Sequence, residues 1–170
     1  MAEVKGIELK WYPVCTTARS EKKVAEALKS KGIEVYLPLQ RQLKQWSDRK
    51  KWVEEPLIRS YLFVQIKEQD KYIVVNTKGV ARFIYFSGAI AFMPDRQIES
   101  LKLLLASACD LEVTTGVLEV GEKIVVKAGP LKGLHGEVIG QRLQKKVILR
   151  LESIGYSIIV NMAASYIEKL

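Results

Sequence analysis

The sequence predicts an α+β protein, an antiparallel sandwich with helices followed by a small closed β-barrel. Three observations predict it. Up to residue 107, aromatic and β-branched strand segments are interleaved with amphipathic stretches of helical period. After residue 118, five short strands follow one another within the remaining residues, a spacing that suits a small barrel. Between the two, Ser107 to Leu118 lacks sustained periodicity and reads as a linker. The expected organisation is a domain over 8–107, a linker over 108–118 and a second domain over 119–170.

In chain order, Leu9 to Cys15 reads as a short strand, with Pro13 arguing for an edge position because proline cannot donate to a ladder. Residues 19–31 form an amphipathic helix with Val24, Ala25 and Leu28 inward, and Gly32 stands where a helix-ending glycine belongs. Ile33 to Pro38 alternates as the next strand. Gln40 to Glu55 is polar and basic with Trp46 and Trp52 embedded, and reads as strand ends joined by an extended basic hairpin loop. Ser60 to Ile66 is the strongest strand, apolar on both faces. A short helix follows over Gln69 to Val75, then the Lys78-Gly79 turn and a strand from Val80 to Phe86. Pro94 to Ser107 is a second amphipathic helix with Ile98, Leu101 and Leu105 inward and Asp95 as N-cap. The later strands are expected at 122–127, 136–140, 145–151, 156–161 and 165–168.

Formal charge is +8, unevenly spread. Up to Ala108 there are 19 Lys and Arg against 12 Asp and Glu; from Cys109 onward there are 8 against 7. The basic surface belongs to the N-terminal part, which either meets phosphates or is a solvated face that keeps the chain soluble. Two cysteines, Cys15 and Cys109, make neither a disulfide scaffold nor a metal pattern, and a reducing compartment fits. No secretory signal and no membrane-length apolar run is visible, so a soluble cytoplasmic protein without cofactor or metal is expected. Catalysis is hard to build. His135 is the only histidine and sits in a turn, no Gly-rich phosphate cradle follows a strand, and Asp48, Glu54, Glu55 and Asp95 lack ligand spacing.

The most informative string is Gly121 to Ile139. An apolar run stops at Gly129-Pro130, a Gly-punctuated turn follows, and a second strand begins at Glu137. Gly129, Gly133 and Gly136 supply the positive-φ or crowded positions that such a turn needs. Bare, this is a hairpin signal; as a string, it resembles the KOW motif of ribosomal proteins and transcription elongation factors. With Trp11-Tyr12-Pro13-Val14, Glu55-Pro56-Leu57, Tyr61-Leu62-Phe63-Val64-Gln65 and Gly79-Val80-Ala81-Arg82-Phe83-Ile84 upstream, residues 10–170 resemble the NusG family. The strings Lys31 to Leu39 and Trp46 to Leu57 are most similar to the specialised UpxY and RfaH-like paralogues, antiterminators of capsular polysaccharide operons. One departure is local: Arg59 precedes Ser60 where the family usually has proline.

The resemblance implies a NusG N-terminal-type α/β sandwich, an SH3-like KOW barrel and a mechanism without covalent chemistry. The N-terminal domain would dock an apolar patch on the β′ clamp helices of bacterial RNA polymerase, reach the β subunit, and meet the non-template DNA strand or nascent RNA. Matching positions are Tyr61, Phe63 and Phe86 for the patch, with Tyr12 and Cys15 at its edge, unless Phe63 and Phe86 are ordinary core. Lys78, with Arg19, Lys22 and Lys23 around the first helix, would meet DNA. The basic cluster Arg49-Lys50-Lys51 either clamps nucleic acid or is a bare basic hairpin. In the KOW domain, Leu131, Leu134, Ile154 and Tyr156 are candidates for recruiting ribosomal protein S10 or Rho, against barrel core as the plainer role. The family expectation is a monomer. RfaH-like helix-to-barrel switching raises the question for Gln141 to Leu151 and Asn161 to Leu170. Five glycines between Gly129 and Gly155 argue against a stable helical form, so a barrel that does not switch is expected. Two other readings are a general NusG-type elongation factor and a ribosome-associated KOW RNA-binding protein. The second would place the basic charge on the nearly neutral C-terminal half.

Overall fold

The computed structural model describes residues 8–107, 109–116, 118–140 and 144–170. The chain divides into two compact units, Met1–Asp95 and Arg96–Leu170. The first runs β1 (Lys10–Thr16), α1 (Glu21–Ser30), β2 (Glu34–Tyr36), β3 (Leu39–Gln45), β4 (Lys50–Pro56), β5 (Tyr61–Ile66), α2 (Lys71–Val75), β6 (Val80–Phe83), β7 (Tyr85–Phe86) and β8 (Ala89–Ile90). Its main sheet is antiparallel in the order β2-β5-β1-β6.

Strand alternation sorts the side chains of this sheet. Tyr12 and Val14 of β1, Val35 of β2, Leu62, Val64 and Ile66 of β5 and Phe83 of β6 join Val24, Ala25 and Leu28 of α1 and Val74 of α2 in one core. Tyr12 and Phe83 meet edge to face, with ring centroids 6.2 Å apart. Burial of each large aliphatic group here contributes about 1.5–3 kcal/mol. On the opposite face Trp11 and Phe63 are also buried, and Phe63 stacks on Tyr36 at 6.4 Å. The two-sided apolar strand expected of β5 is therefore present.

The end of α1 matches its sequence signal. Gly32 N donates to Lys29 O and Ile33 N to Leu28 O, the paired bonds of a Schellman motif that satisfy the last carbonyls. Pro13 is a correction: β1 is an inner strand, not an edge. It is tolerated because β6 pairs β1 only from Val14 onward, and the next contact on that side is the Trp11–Met93 bridge. Met93 N donates to Trp11 O, so odd-numbered residues of β1 direct their backbone groups to that side, and the missing Pro13 donor falls in the gap.

Two further segments differ from expectation. The basic hairpin is no loop: β3 and β4 pair continuously from Leu39↔Pro56 to Gln45↔Lys50, closed by Trp46 N donating to Arg49 O. Polar residues on both faces hid this ribbon, because nothing in them alternates. The strand expected over Val80 to Phe86 breaks at Ile84 into β6 and a separate β7–β8 hairpin. Its two central residues, Ser87 and Gly88, have φ of 50 and 80°, the signs of a type I′ turn.

The second unit contains α3, whose full span is Asp95–Ala106, then β9 (Leu111–Thr114), β10 (Glu122–Val126), β11 (His135–Ile139), β12 (Gln144–Leu151), β13 (Tyr156–Ala163) and β14 (Ile167–Lys169). The six strands form an antiparallel sheet in the order β14-β10-β11-β12-β13-β9. The five strands expected after residue 118 are present. A sixth, β9, lies in the stretch read as linker, where Leu111 to Thr114 pair with Val160 to Ser157. Ala108 and Val117 of that linker, and Gln141 to Leu143 of one candidate helical segment, lie outside the described residues. The sequence grouped α3 with the N-terminal half. In the structure it counts with the second unit, where Gln97 Nε2 donates to the Arg150 carbonyl oxygen at 3.2 Å. Its inward residues are Ile98, Leu101 and Leu104, so the third is Leu104 rather than Leu105, and Asp95 is the first helical residue rather than the cap.

In the Gly-rich turn, Lys132 N donates to Gly129 O, Gly133 N to Val126 O and Leu134 N to Leu131 O. Gly136 then pairs with Ile124, and a Cβ there would sit 2.7 Å from the Ile148 carbonyl oxygen, so β12 can approach only a glycine. His135 is the first residue of β11 rather than part of the turn, and its Nδ1 is buried without a hydrogen-bond partner. Among the described residues no helix is long and apolar enough to cross a membrane.

Candidate nucleic-acid and protein-docking surfaces

The basic candidates of the first unit come together through backbone contacts. Thr17 N donates to Gly79 O at 2.9 Å, which lays the turn carrying Lys78 against the start of α1. Gly79 has φ of 94°, and a Cβ on it would lie 2.7 Å from Val24 Cγ2, so the turn is packed as closely as a glycine allows. Lys31 Nζ donates to Thr77 Oγ1 at 2.8 Å and ties the far end of α1 to the same segment. Arg19, Lys22, Lys23 and Lys78 are all exposed. Arg19 has φ of 59°, which swings the chain into the helix. Arg82 of β6, paired with Cys15, is exposed as well; a single cation in a short strand carried no sequence signal.

The Arg59-Ser60 departure has a specific solution. Ser60 takes φ of 61°. Its N–H donates to Glu21 Oε1 at 2.7 Å, and its carbonyl oxygen accepts from Thr16 N. Glu21 is buried in the first turn of α1, where a carboxylate also meets the positive end of the helix. It anchors the entry to β5.

The aromatic candidates separate. Tyr12 lies in the core under α1, and Phe63 is fully buried on the opposite face; neither presents its ring. The reason is alternation: Tyr12 shares the α1 face with Val14, while Phe63 shares the other with Tyr61. Cys15 and Tyr61 are half-buried. Phe86 is 69% exposed, and the β7–β8 turn that carries it also exposes Tyr85, with Phe92 just beyond. Lys10 Nζ lies 5.3 Å from the Phe92 ring centroid. Tyr85 and Phe92 were missed because a continuous strand over Val80 to Phe86 would have turned alternate residues inward.

The β3–β4 ribbon presents Leu43, Trp46 and Trp52 at roughly half exposure or more. The Arg41 guanidinium lies 5.4 Å from the Trp52 ring. Lys44 Nζ bonds Glu55 across the two strands, and at the ribbon's base Lys22 Nζ donates to the Glu54 carbonyl oxygen at 2.7 Å. The Lys44 hydrogen bond holds the Glu55 carboxyl below the usual carboxylate range. Desolvation opposes this, and attraction from each of Lys44, Arg59 and Lys22 adds a smaller lowering.

In the second unit, Leu131 and Leu134 are corrections: both are buried, folded inward by the bonds of the turn, and form core rather than surface. Ile154 and Tyr156 are half-buried, flanking Gly155. The polar centre here is the Glu137–Arg150 pair. Arg150 Nε donates to both Glu137 oxygens at 2.9 Å, and Gly121 N donates to Oε2 at 3.0 Å. No local pattern announces it, since the partners lie on different strands.

Among the described residues no cluster of His, Cys, Asp and Glu could hold a metal ion. What the chain offers is surface: a basic face, an exposed aromatic turn and an aromatic-basic ribbon. Comparison with known proteins places the chain in a family. Over its full length the chain is 27% identical to the whole of "Transcription termination/antitermination protein NusG" of Staphylococcus aureus strain Mu50. It shares its fold with a solved structure of Thermotoga maritima NusG at 22% identity, with a TM-score of 0.54 over 96% of this chain and 98% of that one. The family model for NusG, the transcription termination factor, matches residues 9–102, and the chain belongs to the NusG family.

Proposed function

We propose that the chain is a transcription antitermination and elongation factor that binds bacterial RNA polymerase and suppresses pausing and termination on particular long operons, such as capsular polysaccharide loci. The observation that carries this reading is where the family match falls. Residues 9–102 cover the basic face around Lys78 and the exposed Phe86 turn. Phe86, with Tyr85, Phe92 and the half-buried Tyr61 and Cys15, is the docking surface for the β′ clamp helices, with a second contact to the β subunit. Large exposed aromatic groups are the type of anchor on which interface energy concentrates. Arg19, Lys22, Lys23 and Lys78 meet the non-template strand through phosphates, adding salt-dependent affinity and little specificity.

The second unit is read as the KOW domain, with Ile154 and Tyr156 as the remaining surface candidates for S10 or Rho. The strands of β12, β13 and β14 occupy the segments whose helical alternative was considered, which supports a domain that does not switch. The protein acts as a cytoplasmic monomer.

The full-length match to the Staphylococcus aureus protein favours one second reading, a general factor acting at most genes. The test is binding of the purified protein to a bacterial RNA polymerase elongation complex, with pausing and readthrough scored on one template. Binding with suppressed pausing, lost in Phe86→Ala/Phe92→Ala, is expected. A folded protein that does not bind would overturn the reading. Genome-wide occupancy confined to a few operons separates specialist from generalist.

A further inference from the structure

The ribbon formed by β3 and β4 has no part in the core of its unit, yet it is built with care. Seven consecutive pairs, Leu39↔Pro56 to Gln45↔Lys50, hold its two strands. Its base is pinned by Leu57 N donating to Pro38 O and by Lys22 Nζ on the Glu54 carbonyl oxygen, and the Lys44–Glu55 bond ties the two strands to each other. A ribbon pinned in this way holds whatever its outer half displays in fixed positions.

That outer half carries rings and cations. Trp46 is 55% and Trp52 58% exposed, an unusual condition for the residue with the most apolar area to bury. Pairing of Leu43 with Trp52 and alternation along both strands put Arg41, Leu43, Gln45, Lys50, Trp52 and Glu54 on one face, with Lys44 and Lys51 on the other. The Arg41 guanidinium braces the Trp52 ring at 5.4 Å. Arg49, Lys50 and Lys51 are exposed at the tip and make no ion pair among the described residues. Of the ribbon's three carboxylates, Glu55 is taken by Lys44, Glu54 lies at the base, and only Asp48 is near the tip.

A protein partner would be met best by a broad apolar surface, whereas here only Leu43 adjoins Trp52, and Arg49 and Lys50 stand between the two tryptophans. Alternating rings and cations fit a chain of aromatic bases joined by phosphates. In a duplex the base faces are already stacked, so only an unpaired strand offers them. We propose that the β3–β4 ribbon is a stacking platform for single-stranded DNA, with Trp46 and Trp52 taking unpaired bases and Arg49 and Lys50 taking the flanking phosphates. The choice of DNA rests on the function proposed above, because Lys22 of the DNA-facing basic set is bonded to the ribbon itself and makes the two surfaces continuous.

The test uses the full-length protein and fluorescein-labelled oligo(dT) of about 15 nucleotides, a length within reach of such platforms. Anisotropy is read with quenching of tryptophan fluorescence. Trp46→Ala/Trp52→Ala is expected to weaken oligo(dT) binding about ten-fold or more with an unchanged circular dichroism spectrum, while Trp52→Phe retains part of the affinity. Arg49→Gln/Lys50→Gln is expected to weaken binding and flatten its salt dependence. Unchanged affinity in the double tryptophan variant overturns the proposal, as does equal competition by duplex of the same length. Tighter binding of oligo(U) than of oligo(dT) overturns the assignment to DNA. Loss of polymerase binding with oligo(dT) binding intact makes the ribbon a protein-docking element and likewise overturns it. Tryptophan-dependent oligo(dT) binding by a wild-type protein that ignores polymerase keeps the platform and sinks the functional reading instead.

Discussion

Phe63 and Phe86 show how two aromatic residues of one fold come to lie in opposite surroundings. Both stood as docking candidates on sequence grounds, but Phe63 is fully buried against Tyr36 and Phe86 is not. Phe63→Ala is therefore expected to cost about 3–5 kcal/mol of folding stability, read by denaturant titration. Phe86→Ala is expected to leave stability within about 0.5 kcal/mol while weakening polymerase binding by about 2 kcal/mol if the turn is a hot spot. The same stacked pair has a pH signature. Burial pushes the Tyr36 hydroxyl up from 10.0 to about 12. A raised acid pKa favours the protonated native form, so its stability is fully present below about 10 and falls as pH rises from there through about 12. Unfolding midpoints measured across that window should drop in the wild type and drop less in Tyr36→Phe.

At the scale of elements, legibility followed local periodicity. The first helix and its terminal bonds, the two-sided β5 strand and the five late strands were readable because apolar spacing and glycine placement lie within each segment. Three features were not. The ribbon pairs over its whole length without an apolar face, so Gln40 to Glu55 carried no period to read. Leu111 to Thr114 is too short to alternate convincingly and gains its partner, β13, from more than forty residues away. The break at Ile84 depends on Ser87 taking a positive φ, which serine seldom signals. The site followed the same rule: the basic residues were readable as charges, while Tyr85, Phe92 and Arg82 needed the turn and the pairing to be seen. One prediction belongs to this scale. Gly79→Ala forces a Cβ to 2.7 Å from Val24 at a φ that alanine resists, so a loss of about 2 kcal/mol or more is expected. Thermal unfolding would check it, and an unchanged midpoint would mean that the turn and α1 part easily.

For the whole molecule, charge asymmetry and strand content make separable predictions. The excess of cations before residue 109 means that DNA binding should weaken steeply with salt. Replacing Arg19, Lys22, Lys23 and Lys78 by Gln should reduce the slope of log affinity against log salt by up to about 3–4, roughly one ion for each phosphate no longer neutralised. An unchanged slope would place the phosphates elsewhere. Far-UV circular dichroism of the full chain is expected to show a strand-rich C-terminal half, and a helix-dominated one would sink the non-switching reading.

The close fit of Gly79 against Val24 has a consequence for how the basic face measures its target. Since the main chain at Thr17 is bonded to Gly79, the backbone fixes how far the attachment point of Lys78 lies from those of the α1 cations. If this face meets DNA as proposed, it would respond to the spacing of charges on the strand as well as to their number. Inserting one residue between Asn76 and Val80 would keep every charge and still put the face out of step.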